Sequence, residues 1–590
     1  MARSNTTRRR LLQGLAVGTA GLAAGRAGAQ QQDESIASAV GVEAPANDAG
    51  RGITAETLAE AEKLFDVRYS DAEREQILIG IDDWVERSAR LRAVNKPNGL
   101  APACVFDPRL PGVSYREQEN AVRSSGRDPG PVPSGEADIA FAPIWKQAIW
   151  LRQDDITSRR LTEIYLDRIA RHADRLECFV TVTPEIALRE ADQADRERAE
   201  GHYRGALHGI PYGLKDIIDV AGVRATWGAT PYRDRIAEAD AHVTQRLREA
   251  GAVLLGKTTS GAIAYGDRWF DGITRNPWNP NEGSSGSSAG SASATSAGLV
   301  GFAIGTETLG SIVSPSQRCG TNGLRPTFGR VSRTGAMALC WSLDKIGAIA
   351  RSVEDTAYVL AAINGHDPMD VSSLSAGFEA DLSRDVRGMR VGYNPAWFEG
   401  AAEADMAALN AARDAGVELV ERSMPDLPYD ALFAVVEAEA AAAFEELTLT
   451  GRDDELVWQD PPAWPNTWRR ARFISAVDMI NVDRLRRQVM NAAGEMFDGV
   501  DAMIGPNFAG AMLVITNYTG HPCLAVRSGY AQQPTRTIFG GAADDSETTF
   551  QVPHVTSLWA PLFEEGNILA LGRAIEDRLG VVDDRPEGFA

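Results

Sequence analysis

Gly283 to Gly298 reads GSSGSSAGSASATSAG, sixteen residues drawn only from glycine, serine, alanine and threonine. Such composition ordinarily marks a flexible linker. Here the run passes without a break into Leu299-Val300-Gly301-Phe302-Ala303-Ile304-Gly305, an apolar strand, and its second half carries more alanine than a linker needs. A tight turn opening a helix packed against a sheet fits better, because small side chains permit close backbone approach. Such a turn also presents serine hydroxyls beside helix-terminal N–H groups.

Within the run, Gly286-Ser287-Ser288-Ala289-Gly290 has the GxSxG form of a nucleophile elbow, which requires a strand immediately before the serine. The preceding Arg275-Asn276-Pro277-Trp278-Asn279-Pro280-Asn281 holds two prolines and reads as a turn, so the elbow lacks its context. Downstream, Gly305-Thr306-Glu307-Thr308-Leu309-Gly310-Ser311-Ile312 is a turn after a strand, with a serine near its end. Upstream, Lys215 closes the strand-like His208-Gly209-Ile210-Pro211-Tyr212-Gly213-Leu214 and precedes Asp216. Alone, the turn reads as structural and the lysine as a surface cation paired with its neighbour.

Together and in this order, the three segments resemble the amidase-signature family: a lysine in a G-x-P-x-x-x-K-D segment, a Ser/Gly run, and a G-T-D-x-G-G-S segment. By that resemblance Ser311 is the nucleophile and Ser287 the bridging serine whose preceding peptide bond is cis. The spacing from Ser287 to Ser311 selects Ser287 over Ser284, Ser285 and Ser288. The likeness runs over roughly residues 150–580. It takes in Asp240-Ala241-His242-Val243, Gly256-Lys257-Thr258, Gly323-Leu324-Arg325-Pro326-Thr327, Gly329-Arg330-Val331-Ser332, Ser342-Leu343-Asp344 with Gly347, and Asn517-Tyr518-Thr519-Gly520-His521-Pro522. It implies an amidase-signature α/β fold with a central mixed β-sheet enclosed by helices, spanning residues 140–585. It also implies amide hydrolysis through Lys215, Ser287 and Ser311 without a cofactor or metal, with the N–H groups of Thr308, Leu309, Gly310 and Ser311 as the oxyanion hole. Family members commonly carry Asp at Glu307, Gly at Leu309 and Arg at Val313. Leucine tolerates positive φ poorly, so a turn needing it at Leu309 would be reshaped.

The residue types suit the chemistry. Serine is a weak nucleophile until a base takes its proton. No histidine lies in the Ser/Gly run or the serine turn, and the whole sequence holds only seven. A lysine serves if neutral, which at pH 7 means titrating roughly three pH units below its usual value, about 4 kcal/mol of differential stabilisation. Burial supplies an effect of that size. A non-catalytic binding protein on an amidase scaffold, and an enzyme acting mainly on esters, are the competing readings, since fold alone does not set function and esters give the same acyl-enzyme. Trp269, Phe270 and Trp341 are aromatic candidates for a substrate pocket, with core packing the ordinary fate of each.

At its start, Thr7-Arg8-Arg9-Arg10-Leu11-Leu12, an apolar stretch from Leu11 to Gly25, and Ala27-Gly28-Ala29 follow the order of a cleavable export signal. The arginine pair and weakly hydrophobic core resemble twin-arginine signals, so residues 1–29 are expected to be removed and the protein to be periplasmic. Residues 30–53 read as a flexible leader. Residues 54–135 read as a helical N-terminal extension and loop: Ser70-Asp71-Ala72-Glu73 is a capping box, Ile77, Ile81, Trp84 and Val85 follow on one helical face, and Ser124 to Gly135 is Pro/Gly/Ser-rich. From about residue 150, helices (Leu161 to Arg171, Ala241 to Ala250) alternate with strands (Gly251 to Gly256), an α/β pattern. Residues 400–500 are mostly helical, and Ala502-Met503-Ile504-Gly505 and Pro522-Cys523-Leu524-Ala525-Val526 are closing strands.

The 590 residues carry a net charge of −21, which argues against nucleic acid as a partner. The expected partner is a small-molecule amide, with no stable membrane insertion after signal removal; a homodimer is left open. The five cysteines are sparse and fit neither a disulfide framework nor a zinc spacing, so burial is the expectation for each.

Overall fold

The computed structural model describes residues 52–537 and 547–589. The expected signal at residues 1–29, and all but the end of the 30–53 leader, lie outside them. The chain forms two compact units that divide between Lys96 and Pro97. The smaller holds helices α1 (Ala55–Phe65), α2 (Asp71–Leu78) and α3 (Ile81–Ala93). Ser70 and Glu73 make the expected capping box: Ser70 Oγ accepts from the Glu73 N–H at 3.3 Å and Glu73 Oε2 from the Ser70 N–H at 2.7 Å. The single helix expected through Ile77, Ile81, Trp84 and Val85 is two, because Gly80 takes φ +98° and starts α3 anew. Residues 97–135, read from sequence with the extension, belong to the larger unit, where Ala121–Arg123 pairs in parallel with Glu379–Asp381.

One mixed sheet of eleven strands organises the larger unit. In chain order its strands are β1 (Phe179–Val182), β2 (Pro211–Lys215), β3 (Val253–Thr258), β4 (Phe302–Glu307), β5 (Asn322–Arg325) and β6 (Lys345–Ala350). Then follow β7 (Arg390–Tyr393), β8 (Glu418–Glu421), β9 (Ala502–Pro506), β10 (Cys523–Pro534) and β11 (Thr549–Trp559). Their spatial order is β8-β7-β9-β11-β10-β5-β6-β4-β2-β3-β1. β3 and β4 flank β2 in parallel, and β6 runs antiparallel to β4 with Lys345 opposite Glu307. Every residue of β2, β3, β4 and β6 is buried, the signature of central strands covered on both faces. The 400–500 segment is mostly helical as expected, with β8 as its one departure; the closing hairpin β10–β11 is longer than the sequence reading.

Among the covering helices are α4 (Ser158–Leu176), α5 (His242–Glu249), α6 (Ala289–Ser296), α7 (Val313–Cys319), α8 (Val353–Ile363), α9 (Ala476–Phe497), α10 (Met512–Thr519) and α11 (Glu565–Leu579). The Gly/Ser run is a packed element. α6 is buried at every residue, and its hydroxyls find main-chain acceptors: Ser291 Oγ donates to Ile304 O at 2.9 Å and Ser293 Oγ to Arg275 O at 2.7 Å. Glycine is required at two points of closest approach. A Cβ at Gly286 would lie 1.9 Å from Gly266 O, and one at Gly290 would lie 2.3 Å from Cys178 O. Residues 275–281, read as a turn, take part in a short hairpin in which Asn279–Gly283 pairs with Arg275–Asn276, outside the main sheet. It ends at Gly283, three residues short of the strand-to-serine junction an elbow needs. Four of the five cysteines are buried, and Cys104, expected in the core, is exposed. No helix of the described residues is long and apolar enough to cross a membrane.

Candidate active site

Lys215 is the last residue of β2 and is wholly buried at the carboxyl end of the strand. Its Nζ lies 2.7 Å from Thr306 Oγ1, 2.8 Å from Ser287 Oγ and 3.2 Å from Ser288 Oγ. Thr306 comes from the neighbouring β4, and the two serines from the turn that opens α6. The Gly286–Ser287 peptide bond is cis, the feature the family resemblance places before the bridging serine. Ser288 Oγ donates to Thr306 O and accepts from the Thr306 N–H, both at 3.0 Å, which locks the serine turn onto β4. Among the described residues no carboxylate reaches ion-pair distance of Nζ. Burial pushes Lys215 well below the ordinary lysine value, against the opposing pull of Asp344 and Glu307.

Ser311 stands at the end of the turn that follows β4, with 8% of its surface exposed. Its carbonyl accepts from the Ser288 N–H at 3.2 Å, so the turn carrying Ser311 is fastened beside Ser287. The positive φ that this turn requires falls on Gly310 (+95°) and not on Leu309. The concern raised by leucine is therefore met one residue along. The N–H groups of Leu309, Gly310 and Ser311 donate to no protein acceptor among the described residues.

Glu307 shapes this turn from beneath. Its Oε2 accepts from the N–H groups of Ile312 (2.8 Å) and Val313 (3.1 Å), while Oε1 takes Arg325 Nη1 at 2.6 Å and Asn517 Nδ2 at 2.9 Å. Burial pushes this carboxyl up, but the Arg325 guanidinium and its companions outweigh that and hold it at about 2. Arg325 supplies the buried cation here, and Val313 sits apolar in the core.

Sequence reasoning missed Thr306, Ser288 and Lys345 as parts of this cluster. Lys345, buried at the start of β6, directs its ammonium to Leu343 O and lies 3.5 Å from Thr308 O. Burial, aided by the nearby Arg325 charge, lowers it to about 7. Its position next to Ser342-Leu343-Asp344 was the available signal. A cavity of about 420 Å³ ends on Thr306 and Thr308 and continues past Lys345 to Trp341; Lys215, Ser287 and Ser311 do not line it, nor do Trp269 and Phe270. Those last two pack edge-to-face on each other at 4.9 Å.

A sheet of this topology, with a buried lysine and paired serines at the carboxyl ends of its parallel strands, is the architecture of amidase-signature proteins. The chain belongs to the Amidase family, whose model matches residues 160–519, more than half of the sequence. A glutamyl-tRNA(Gln) amidotransferase subunit of Roseiflexus sp. (strain RS-1) is 39% identical over 305 residues, covering 50% of this chain and 62% of that protein. The chain thus spans less than two thirds of that relative. The native peptide amidase of Stenotrophomonas maltophilia is 28% identical, with a TM-score of 0.64 over 76% of this chain and 98% of the amidase. A chain of an inhibitor-bound complex, described as revealing the evolutionary origins of an s-triazine catabolic enzyme, is 27% identical with a TM-score of 0.65, covering 74% of this chain and 99% of its own.

Proposed function

We propose that the protein is a hydrolase that cuts a carbon–nitrogen amide bond through Lys215, Ser287 and Ser311. The observation that carries the reading is a wholly buried lysine with Nζ 2.8 Å from Ser287 Oγ and, among the described residues, no carboxylate within ion-pair distance. A neutral lysine has two N–H donors and one lone pair. Thr306 Oγ1 and Ser288 Oγ accept the two donors, and the lone pair then receives the Ser287 hydroxyl proton. Ser311 Oγ attacks the amide carbon while its own proton passes to Ser287 Oγ. The N–H groups of Thr308, Leu309, Gly310 and Ser311 take the developing oxyanion. The relay run backwards protonates the amine as the C–N bond breaks, leaving an acyl group on Ser311. Water, deprotonated by the same relay, then attacks the acyl carbon and frees Ser311 and a carboxylic acid.

The likeness to an amidotransferase carries over as far as the acyl-enzyme. Water is favoured as acceptor, because a net charge of −21 repels the tRNA backbone and the arginine-pair signal would take the protein out of the cytoplasm. Export to the periplasm with a mature start at Gln30 is part of the same proposal.

The test is covalent labelling. A serine-reactive phosphonate should leave its adduct on the peptide carrying Ser311, located by mass spectrometry. An adduct on Ser288 would favour an α/β-hydrolase mechanism, and no adduct together with no amide turnover would favour a binding protein.

A further inference from the structure

Resting on the amidase reading above, we infer that Leu100, on a strap of chain at residues 97–101, determines specificity, and that the preferred substrates are amides carrying an apolar group that fills the 420 Å³ cavity. The inner end of this cavity is Thr306 and Thr308, one touching Lys215 and the other opening the Ser311 turn. Its size lies within the range of small-molecule sites. Beyond the two threonines the wall is apolar, with Leu100, Ile217, Met337, Leu339, Trp341 and Met369.

The charged groups on that wall are Arg333, Asp344, Lys345 and Asp370, and each is engaged by the protein, Lys345 directing its ammonium to Leu343 O and lying 3.5 Å from Thr308 O. Arg333 is paired with Asp370 at 3.0 Å. Asp344 accepts from Thr308 Oγ1 at 2.6 Å and from the N–H groups of Leu339 and Cys340 at 2.8 and 3.0 Å. What a ligand meets is therefore mainly hydrocarbon. At the mouth stand three large apolar side chains left in solvent: Leu100 is 59% exposed, Met369 77% and Val371 60%. Single exposed apolar residues are ordinary, but three around one cavity that also reaches Thr306 and Thr308 form a rim suited to an apolar ligand.

The strap is held where it is by Asn98. Its side-chain amide pairs with the backbone of Ala338 on both sides, Nδ2 donating to the carbonyl at 2.7 Å and Oδ1 accepting from the N–H at 2.8 Å. Trp341 Nε1 also donates to Asn98 O at 3.2 Å. The strap is thereby pinned to Ala338 and Trp341, both of which line the cavity. The strap lies outside residues 160–519 that match the family, while Ile217, Met337, Leu339, Trp341 and Met369 lie within them.

The experiment measures kcat/KM for straight-chain primary amides from acetamide to octanamide, and for N-alkyl acetamides of the same lengths, in the wild-type protein and in Leu100→Asp, Met369→Asp and Asn98→Ala. Leu100 and Met369 are exposed, so both replacements leave the core intact, as equal urea midpoints would verify. The expected result, in each Asp variant, is an at least tenfold fall in the ratio of kcat/KM for hexyl or longer members to that for the shortest member of one series. The responding series tells whether the acyl or the amine side occupies the cavity. Asn98→Ala should act in the same direction through KM. Labelling of Ser311 by methyl and hexyl phosphonates gives the same ratio without turnover. If amides are cleaved and Ser311 is labelled but no chain-length ratio moves in either Asp variant, this inference is overturned and the amidase reading stands. If no serine is labelled and no amide cleaved, both fall.

Discussion

Replacing Lys215 by methionine separates catalysis from stability with opposite expected signs. Methionine keeps the length and apolar stem but removes Nζ, which is fully buried among hydroxyl and carbonyl groups without an ion-pair partner. Burial holds the lysine well below its ordinary value in the fold, while its unfolded counterpart titrates near ~10.4, and each pH unit between the two carries a linkage of about 1.4 kcal/mol. The sign follows from proton counts. Between the lowered folded value and the unfolded one, the unfolded chain binds the extra proton, so stability rises with pH through that window. The destabilisation is complete below the folded value and gone above about pH 10.4. Methionine has no such dependence, and its loss of hydrogen bonds to Ser287 and Thr306, roughly 1 kcal/mol each, does not vary with pH. Urea unfolding of both proteins at pH 7 and pH 10 isolates the effect, because every other titration is common to the two. The wild type should gain stability on Lys215→Met across that interval, by about 1.4 kcal/mol for each pH unit over which the folded lysine is neutral. Amidase kcat should meanwhile fall roughly 10²- to 10⁴-fold with KM little changed, the size of a lost general base. Lys215→Arg should not restore it, since guanidinium stays protonated. Parallel stability curves, or an active arginine variant, would show that Lys215 is a charged structural residue.

Two further outcomes are expected. Glu307→Gln leaves Arg325 buried without its counter-charge and should cost roughly 3–5 kcal/mol in denaturant unfolding. Because the Glu307 carboxyl is held at about 2, that cost should be present at neutral pH and shrink as the pH falls from about 4.5 towards 2, where the wild-type carboxylate itself becomes protonated; a cost that does not vary with pH would refute the charge pairing. N-terminal sequencing of protein from the periplasmic fraction should start at Gln30, and Arg8→Lys with Arg9→Lys should block export; an intact Met1 or Ala2 start would remove the export reading.

How far the site was legible depended on how much of it lies in one stretch of chain. The strand ending at Lys215, the helix opened by the Ser/Gly run and the turn carrying Ser311 each sit in a short segment with its own signal of composition or apolar pattern. Thr306, at 2.7 Å from Lys215 Nζ, had none, because its side chain reaches the lysine only through the parallel pairing of β2 with β4. Arg325 was visible as motif text, yet its partner Glu307 is set by the sheet order that brings β5 and β4 to either side of β6. The Leu309 concern came from reading a turn without its dihedrals. Asn98 and its strap contact Ala338 from far away in the sequence, and no local pattern marks such a pairing. The capping box at Ser70 is legible in four residues, but the helix beyond it is not, since Gly80 breaks a face that the apolar spacing alone carries through.

The charges around Lys215 bear on the neutral amine that the proposed mechanism needs. Burial lowers the lysine, and the carboxylates of Asp344 and Glu307 oppose it. Both carboxylates are taken up by other donors. Glu307 faces Arg325, Asn517 and two backbone N–H groups, and Asp344 faces Thr308 Oγ1 and two more. Both carboxylates are thus tied into the turn that carries Ser311 and the cavity wall, and neither reaches ion-pair distance of Lys215 Nζ, so burial outweighs their pull. The groups that hold the Ser311 turn thus oppose, without outweighing, the effect of burial on Lys215. Loosening either carboxylate from its donors should therefore raise the lysine towards its ordinary value and move the alkaline-rising limb of the pH–rate profile to higher pH, before any contact to Lys215 itself is altered.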